Sequence, residues 1–274
     1  MISPPQIFPD IEYRRIGDKS LTLDLYSQPA DSPLPVVIWV HGGAWRMGDN
    51  KHPPAVPLLT GSGFAVASIT YRFSQEALFP AQIQDCKAAV RWLRAHAHEY
   101  HLNPDKIGAW GASAGGHLVA LLGLAVDVPT FEDGDHLDQS SQVQAVCDWY
   151  GPTDFLQMDS HALDSSPFPH DAADSPESQL VGGRIQENRD KVAAANPITY
   201  ITAGHPPFLI MHGDRDPLVP FHQSQLLYEA LEAAGEEVTF RPVVGAGHGG
   251  EGFRMPAALQ QVADFFTTHL RPQM

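Results

Sequence analysis

The chain has 274 residues, 43% of them hydrophobic and 18% charged, with a formal net charge of −15. That length suits one large α/β domain over 1–274, able to bury roughly 75% of its unfolded surface. No apolar run approaches the ~18 residues of a membrane helix, and an acidic surface without basic clusters repels phosphate backbones and anionic lipid, so neither nucleic acid nor a membrane is expected as a partner.

Residues 1–10 carry three prolines and no basic-then-apolar pattern, so they do not read as a leader peptide. A leader already removed stays open, and the compartment with it: cytoplasmic, or secreted. Cys86 and Cys147 are the only cysteines, which excludes a disulfide scaffold and a cysteine metal site. Two buried thiols are favoured, and a single bridge stays open.

Residues 11–16 and 21–26 alternate apolar with polar, predicting two antiparallel edge strands joined by the turn Gly17-Asp18-Lys19-Ser20. After a proline-rich loop, Val36-Val37-Ile38-Trp39-Val40 is apolar throughout, as in a strand covered on both faces. Residues 64–69 repeat that pattern, with a short helix over 53–59 between them. A helical stripe runs through Cys86, Ala89, Val90, Leu93 and Ala97 within 80–101. Its end carries His96, His98 and His101, but His98-Glu99-Tyr100-His101 is one residue short of the H-E-x-x-H metal spacing, so no metal is expected.

Strands and helices then alternate: a strand into residues 107–112 and a helix after it, strands at 143–150 and 207–212, a helix at 221–234, a strand at 238–243 and a helix at 255–270. This alternation predicts an α/β fold with a mostly parallel central sheet, antiparallel N-terminal edge strands and helices on both faces. The acidic stretch 127–141 lacks the remaining residues of a calcium loop and reads as a solvated loop. Residues 151–205 break the alternation and read as an inserted, lid-like substrate-binding segment over the site.

Gly111-Ala112-Ser113-Ala114-Gly115 sits between the predicted strand and helix and fits G-x-S-x-G, the nucleophile elbow. A strand turning at once into a helix strains its tip residue, and neighbours without side chains relieve the crowding. A serine hydroxyl needs a base, the base an orienting carboxylate, and the intermediate needs N–H donors. His41-Gly42-Gly43-Ala44-Trp45 follows a buried strand, as an oxyanion-hole loop does, and Ala114 follows the serine. Asp214 and Asp216 compete for the acid role after the strand at 207–212; Asp216 is favoured because Asp214 lies close enough to the strand to serve only as a turn closer. Of 14 histidines, His248, in Gly245-Ala246-Gly247-His248-Gly249-Gly250, has the best context. The same loop matches G-x-G-x-x-G, yet only a helix follows it, so no βαβ unit and no dinucleotide cofactor is expected.

His41-Gly42-Gly43-Ala44-Trp45, Tyr71-Arg72, Phe79-Pro80-Ala81, Gly111-Ala112-Ser113-Ala114-Gly115-Gly116-His117 and His212-Gly213-Asp214-Arg215-Asp216 together resemble bacterial serine esterases of the α/β-hydrolase superfamily. The feruloyl-esterase and acetyl-esterase-like branch, near the hormone-sensitive-lipase relatives, is the most similar. The resemblance implies Ser113 as nucleophile, His248 as general base and acid, Asp216 as its orienter, oxyanion donors at Gly43, Ala44 and Ala114, and no cofactor or metal. Ala44 departs from the H-G-G-G form, and Trp45 beside it is expected to crowd the acyl side. Trp149, Tyr150 and Phe155 are candidates to line the substrate pocket, with core packing as the alternative for all three. A small-molecule ester is the expected substrate, hydrolysed through an acyl-enzyme. An arylformamidase or other amide hydrolase, and a non-catalytic binding protein of the same fold, are the alternatives. Acyl and alcohol specificity and oligomeric state have no signature in the sequence.

Overall fold

A computed structural model of the protein describes residues 4–271; residues 1–3 and 272–274, including part of the stretch read for a leader, lie outside it. Eight strands form one sheet: β1 (Gln6–Ile16), β2 (Lys19–Ser27), β3 (Leu34–Val40), β4 (Ala65–Ile69), β5 (Leu102–Ala112), β6 (Ala145–Trp149), β7 (Phe208–Gly213) and β8 (Val238–Val243). Their order is β1-β2-β4-β3-β5-β6-β7-β8. The β1/β2 and β2/β4 pairs are antiparallel, and every pair from β4 to β8 is parallel. The α/β-hydrolase fold expected from the sequence is present, with one adjustment. Of the two N-terminal strands only β1 lies at an edge, because β2 is hydrogen-bonded on both sides.

The strands explain themselves by what they bury. β4, β6 and β7 bury every residue, as continuous apolar runs in a doubly covered parallel sheet require. One face is packed by α2 (Ala81–Ala95), α3 (Ala114–Leu124) and α7 (His222–Ala233), the other by α1 (Val56–Gly61) and the C-terminal α9 (Pro256–Leu270). Short helices α4 (Met158–His161), α5 (Pro176–Val181) and α6 (Arg189–Ala195) lie between β6 and β7, and α8 (Glu251–Arg254) precedes α9. Among the described residues no helix is long and apolar enough to cross a membrane.

Two expectations need correction and a third needs refinement. The strand before the serine starts at Leu102, not at residue 107, because Leu102 pairs with Leu34 of β3. The helix over 80–101 stops at Ala95, and the backbone closes a turn from Leu102 N–H to the Ala97 carbonyl, 2.8 Å. The acidic stretch 127–141 is exposed over most of its length, as a solvated loop is, but it is anchored rather than free. Glu132 accepts hydrogen bonds from Lys87 Nζ at 2.7 Å and from Arg91, both 1% exposed, while Asp133 pairs with Arg14. Two cations buried on α2 need counter-charges, and their partners lie over 40 residues away, beyond any local pattern. Cys86 and Cys147 are both buried and free.

Parallel strands in register end together. Val40 pairs with Ile69 and Gly111, Ala112 with Trp149, Trp149 with Met211, and Gly213 with Val243. The loops after β3, β5, β6, β7 and β8 therefore leave from one edge, where ligands bind in open α/β sheets.

Candidate active site

At the tip of the β5–α3 turn, Ser113 has φ 57° and ψ −122°, a conformation that non-glycine residues rarely hold. It is held by its own N–H, which donates to the Trp149 carbonyl at 2.8 Å, and by its carbonyl, which accepts from His117 N–H at 3.0 Å. The flanking glycines are sterically obligatory. A Cβ on Gly111 would stand 2.2 Å from the Gly115 oxygen, and one on Gly115 would stand 2.0 Å from the Val40 oxygen.

A single hydrogen-bonded chain joins the three distant residues. Ser113 Oγ lies 2.9 Å from His248 Nε2, and His248 Nδ1 lies 2.6 Å from Asp216 Oδ2. A carboxylate only accepts, so Nδ1 carries the proton and Nε2 is free to accept from the serine hydroxyl. Asp216 is 1% exposed. Its Oδ1 accepts from Leu218 and Val219 N–H at 2.8 and 3.0 Å, and Oδ2 also faces His212 Nε2 at 3.1 Å. Burial pushes this carboxyl up, but the hydrogen bonds from His212 and His248 outweigh it and hold Asp216 far below the ordinary carboxylate range. Asp214 is exposed and accepts from Gly245 N–H at 2.6 Å, closing the loop turn.

The β3 loop is pressed against this chain. Gly42 stands so close that a Cβ there would lie 3.2 Å from Ser113 Cβ. Gly43, Ala44 and Trp45 all have positive φ, at 104°, 55° and 56°. The turn is pinned by the Gly43 carbonyl, which accepts from Arg46 and Met47 N–H at 3.0 and 3.2 Å. Tyr71 Oη reaches the His41 carbonyl at 3.0 Å, and the two rings stack 4.5 Å apart. The N–H groups of Gly43, Ala44 and Ala114 donate to no group among the described residues, and all three residues line one cavity with Ser113.

That cavity holds about 590 Å³ and is lined mainly by apolar groups. Its walls come from the β3 loop, the elbow, Tyr150, Leu218 and Val219 near Asp216, and residues 168–177 of the segment after β6. The four aromatic candidates divide. Tyr150 lines the cavity, with φ 45° and its ring 4.7 Å from that of His248. Trp45 touches the cavity but is 1% exposed, its Nε1–H donating to His117 Nδ1 at 3.2 Å. Trp149 and Phe155 are core residues and do not reach the cavity. Strand alternation turns Trp149 to the α9 side, against Trp110 and Phe253, and Phe155 packs beneath Trp45 and His117.

Residues that sequence reasoning missed also gather here: His212, on the far side of Asp216, and Arg46, His170 and Glu177 in the cavity wall. His212 was visible at the end of its strand, but nothing local distinguished it from a core histidine. His170 and Glu177 lie in an irregular segment without a motif. The groups of three or more side chains that a metal ion requires are absent among the described residues.

With this geometry in view, the likeness to other proteins gains content. Esterase LipQ of Mycobacterium tuberculosis is 35% identical over 232 residues, covering 82% of this chain and 53% of that protein. The chain thus spans about half the length of the curated relatives it matches. Among solved structures, a truncated carbohydrate esterase from gut microbiota superposes with a TM-score of 0.87 at 34% identity, covering 97% of both chains. The butyrate-bound thermophilic esterase of Thermogutta terrifontis gives 0.78 at 26% identity, covering 100% of this chain and 98% of that one. The BD-FAE family model matches residues 23–231, a span that takes in both Ser113 and Asp216. The sheet, the elbow and these matches agree, and the chain belongs to the BD-FAE family of α/β-hydrolases.

Proposed function

We propose that this chain is a serine carboxylesterase acting on small acyl or aryl esters through an acyl-enzyme. The observation that carries the reading is the Ser113–His248–Asp216 chain, 2.9 and 2.6 Å long, opening into a cavity whose lining includes three backbone N–H groups without a partner among the described residues. Ser113 Oγ attacks the ester carbonyl while His248 Nε2 takes its proton. The carbonyl oxygen becomes negative and is met by the N–H groups of Gly43, Ala44 and Ala114, beside the positive end of α3. Asp216 holds the imidazole by Nδ1 and stabilises its charged form. The protonated His248 then gives its proton to the leaving alcohol, a water follows the same route, and the acid is released. The esterase names of the relatives support this reading, and the carbohydrate esterase among them puts sugar esters among the substrates to assay. Residues 151–205 act as the substrate-binding insertion, through the stretch 168–177 that walls the cavity.

The test is Ser113→Ala, assayed on p-nitrophenyl acetate beside labelling of the parent by an aryl phosphonate. Turnover should fall at least ~10³-fold, and mass spectrometry should find one phosphonyl adduct, on Ser113. A variant that retains parental turnover, or an adduct elsewhere, overturns the assignment.

A further inference from the structure

Trp149 and Tyr150 are consecutive at the end of β6, yet both side chains pack against Phe253 of α8, with ring centroids 5.1 and 4.7 Å away. Neighbours in an extended strand point to opposite faces. The exception is made by the backbone of Tyr150, whose φ of 45° is an outlier for a bulky residue. Its N–H donates to the Met211 carbonyl at 2.9 Å and helps to hold that conformation. Such strain persists only where the surroundings enforce it, and it gathers at functional sites. What the turn achieves is contact with the general base. The Tyr150 ring lies 4.7 Å from that of His248, tilted by 59°.

His248 needs such support. Its loop, Gly245-Ala246-Gly247-His248-Gly249-Gly250, is mostly glycine, and Gly245, Gly249 and Gly250 have positive φ. A chain of this composition has much freedom to lose on ordering. Among the described residues Gly247, His248 and Gly249 make no backbone hydrogen bond. The imidazole is therefore positioned by its side-chain contacts: Asp216 and Ser113 at its two nitrogens, and the Tyr150 ring by packing. Gly249 is fitted to the same ring. A Cβ there would stand 2.9 Å from Tyr150 Oη and 3.5 Å from Cζ, so the phenol oxygen rests on the backbone just after the base. Burial, with the charge of Asp216 adding to it, pushes the phenol well up, and Tyr150 stays neutral.

We propose that Tyr150 is a positioning residue for the general base: its ring, swung out of the strand by a left-handed backbone, braces His248 within reach of Ser113, and its hydroxyl, seated on Gly249, fixes how close the glycine-rich loop comes. Proton transfer requires that reach, and misplacement by about 1 Å costs on the order of 10²-fold in rate. The proposal rests on the esterase reading and adds to it a residue beyond the serine, histidine and carboxylate.

The experiment is a double-mutant cycle in the full chain, read by kcat and KM on p-nitrophenyl acetate and by the rate of phosphonylation at Ser113. Tyr150→Leu should lower kcat and the labelling rate at least ~10-fold with KM changed less than ~3-fold. Tyr150→Phe, which keeps the ring, should recover most of that loss. Gly249→Ala should cost at least ~10-fold in the parent, where its Cβ displaces the phenol oxygen, and at most ~3-fold when combined with Tyr150→Phe, which removes that oxygen. The strain of an alanine at the positive φ of Gly249 is common to both backgrounds and cancels in the cycle. An equal penalty for Gly249→Ala in the two backgrounds overturns the proposal. So does Tyr150→Leu with parental kcat, or with a loss confined to KM, which assigns Tyr150 to substrate binding alone. The Gly249→Ala comparison decides the matter if the leucine variant does not fold. A parent that neither turns over the ester nor takes the phosphonate at Ser113 sinks the esterase reading, and the brace with it.

Discussion

His212 and His248 share one carboxylate oxygen: Asp216 Oδ2 lies 3.1 Å from the first imidazole and 2.6 Å from the second. His212 Nε2 also faces the Val219 carbonyl at 3.0 Å, so it carries a proton, while Nδ1 accepts from the Ser224 hydroxyl at 2.7 Å. The fully buried His212 is thereby fixed as a donor that steadies the negative charge of Asp216. Hydrogen bonds to charged groups contribute about 1.5–3 kcal/mol. His212→Phe, which keeps a ring but no donor, should lower kcat by about tenfold with little change in KM. Steady-state kinetics beside a thermal melt test this, and parental kcat in a folded variant contradicts the role.

The backbone of the β3 loop offers a second handle. Gly48 has φ 126°, and a Cβ there would stand 2.2 Å from His41 Nδ1. His41 cannot retreat, since its ring stacks on buried Tyr71. Gly48→Ala should therefore displace the loop that carries the proposed oxyanion donors. The expected result is a loss of kcat of at least ~10-fold with a melting temperature lowered only modestly. The same comparison of rate and melt reads it.

Two buried groups give stability opposite dependences on pH. Burial raises the Asp148 carboxyl from 3.8 to about 7, against the Gly151 N–H that it accepts. Between those values the unfolded chain has released this proton and the folded one keeps it, so Asp148 makes stability fall as pH rises from about 4 to 7. Burial lowers His117 from 6.5 to about 4, against its bond to the Ala195 carbonyl. There the unfolded chain holds the extra proton, so His117 makes stability rise from pH 4 to 6.5. Each effect is on the order of 3–4 kcal/mol across its window, and in the parent they largely cancel below pH 6.5. Asp148→Asn should unmask the rising limb and His117→Gln the falling one. Denaturant unfolding at several pH values checks both, and slopes of the same sign in the two variants refute the pairing.

Glu132 is the counter-charge for two cations that the fold buries. Glu132→Gln leaves Lys87 and Arg91 with a neutral partner. Glu132 is itself 30% exposed, so solvent screens part of the loss. The expected cost is about 2 kcal/mol, or on the order of 5 °C in melting temperature. Activity measured at 25 °C should be unaffected, because this network lies on α2, away from the cavity lining.

How far the sequence could be read follows from how local each cause is. The elbow was legible because Gly111, Ser113 and Gly115 answer a steric problem set within five residues. The strands of the core were legible because burial on both faces writes itself as unbroken apolar runs. Asp216 could be preferred over Asp214 from position alone, and the structure puts Asp214 on Gly245 instead. By contrast, nothing local showed that Glu132 is paired, because its partners sit on another helix, and Trp149 stayed open between pocket and core because strand ends alone do not say which face a side chain takes. His170 and Glu177 had no signature at all. They meet in a segment of short helices whose path is set by packing against the finished sheet rather than by its own periodicity.

That segment is contiguous in the chain and hangs between the ends of β6 and β7. Ser113, Asp216 and His248 all belong to other loops, so the walls of the cavity and the proton-transfer chain are encoded separately. One buried tie between them runs through His117, whose Nε2 reaches the Ala195 carbonyl at 2.7 Å while its Nδ1 receives the indole proton of Trp45. Exchanging residues 168–177 for the matching stretch of a relative, with that anchor left in place, is thus a route to altered substrate choice by a protein that keeps its reaction.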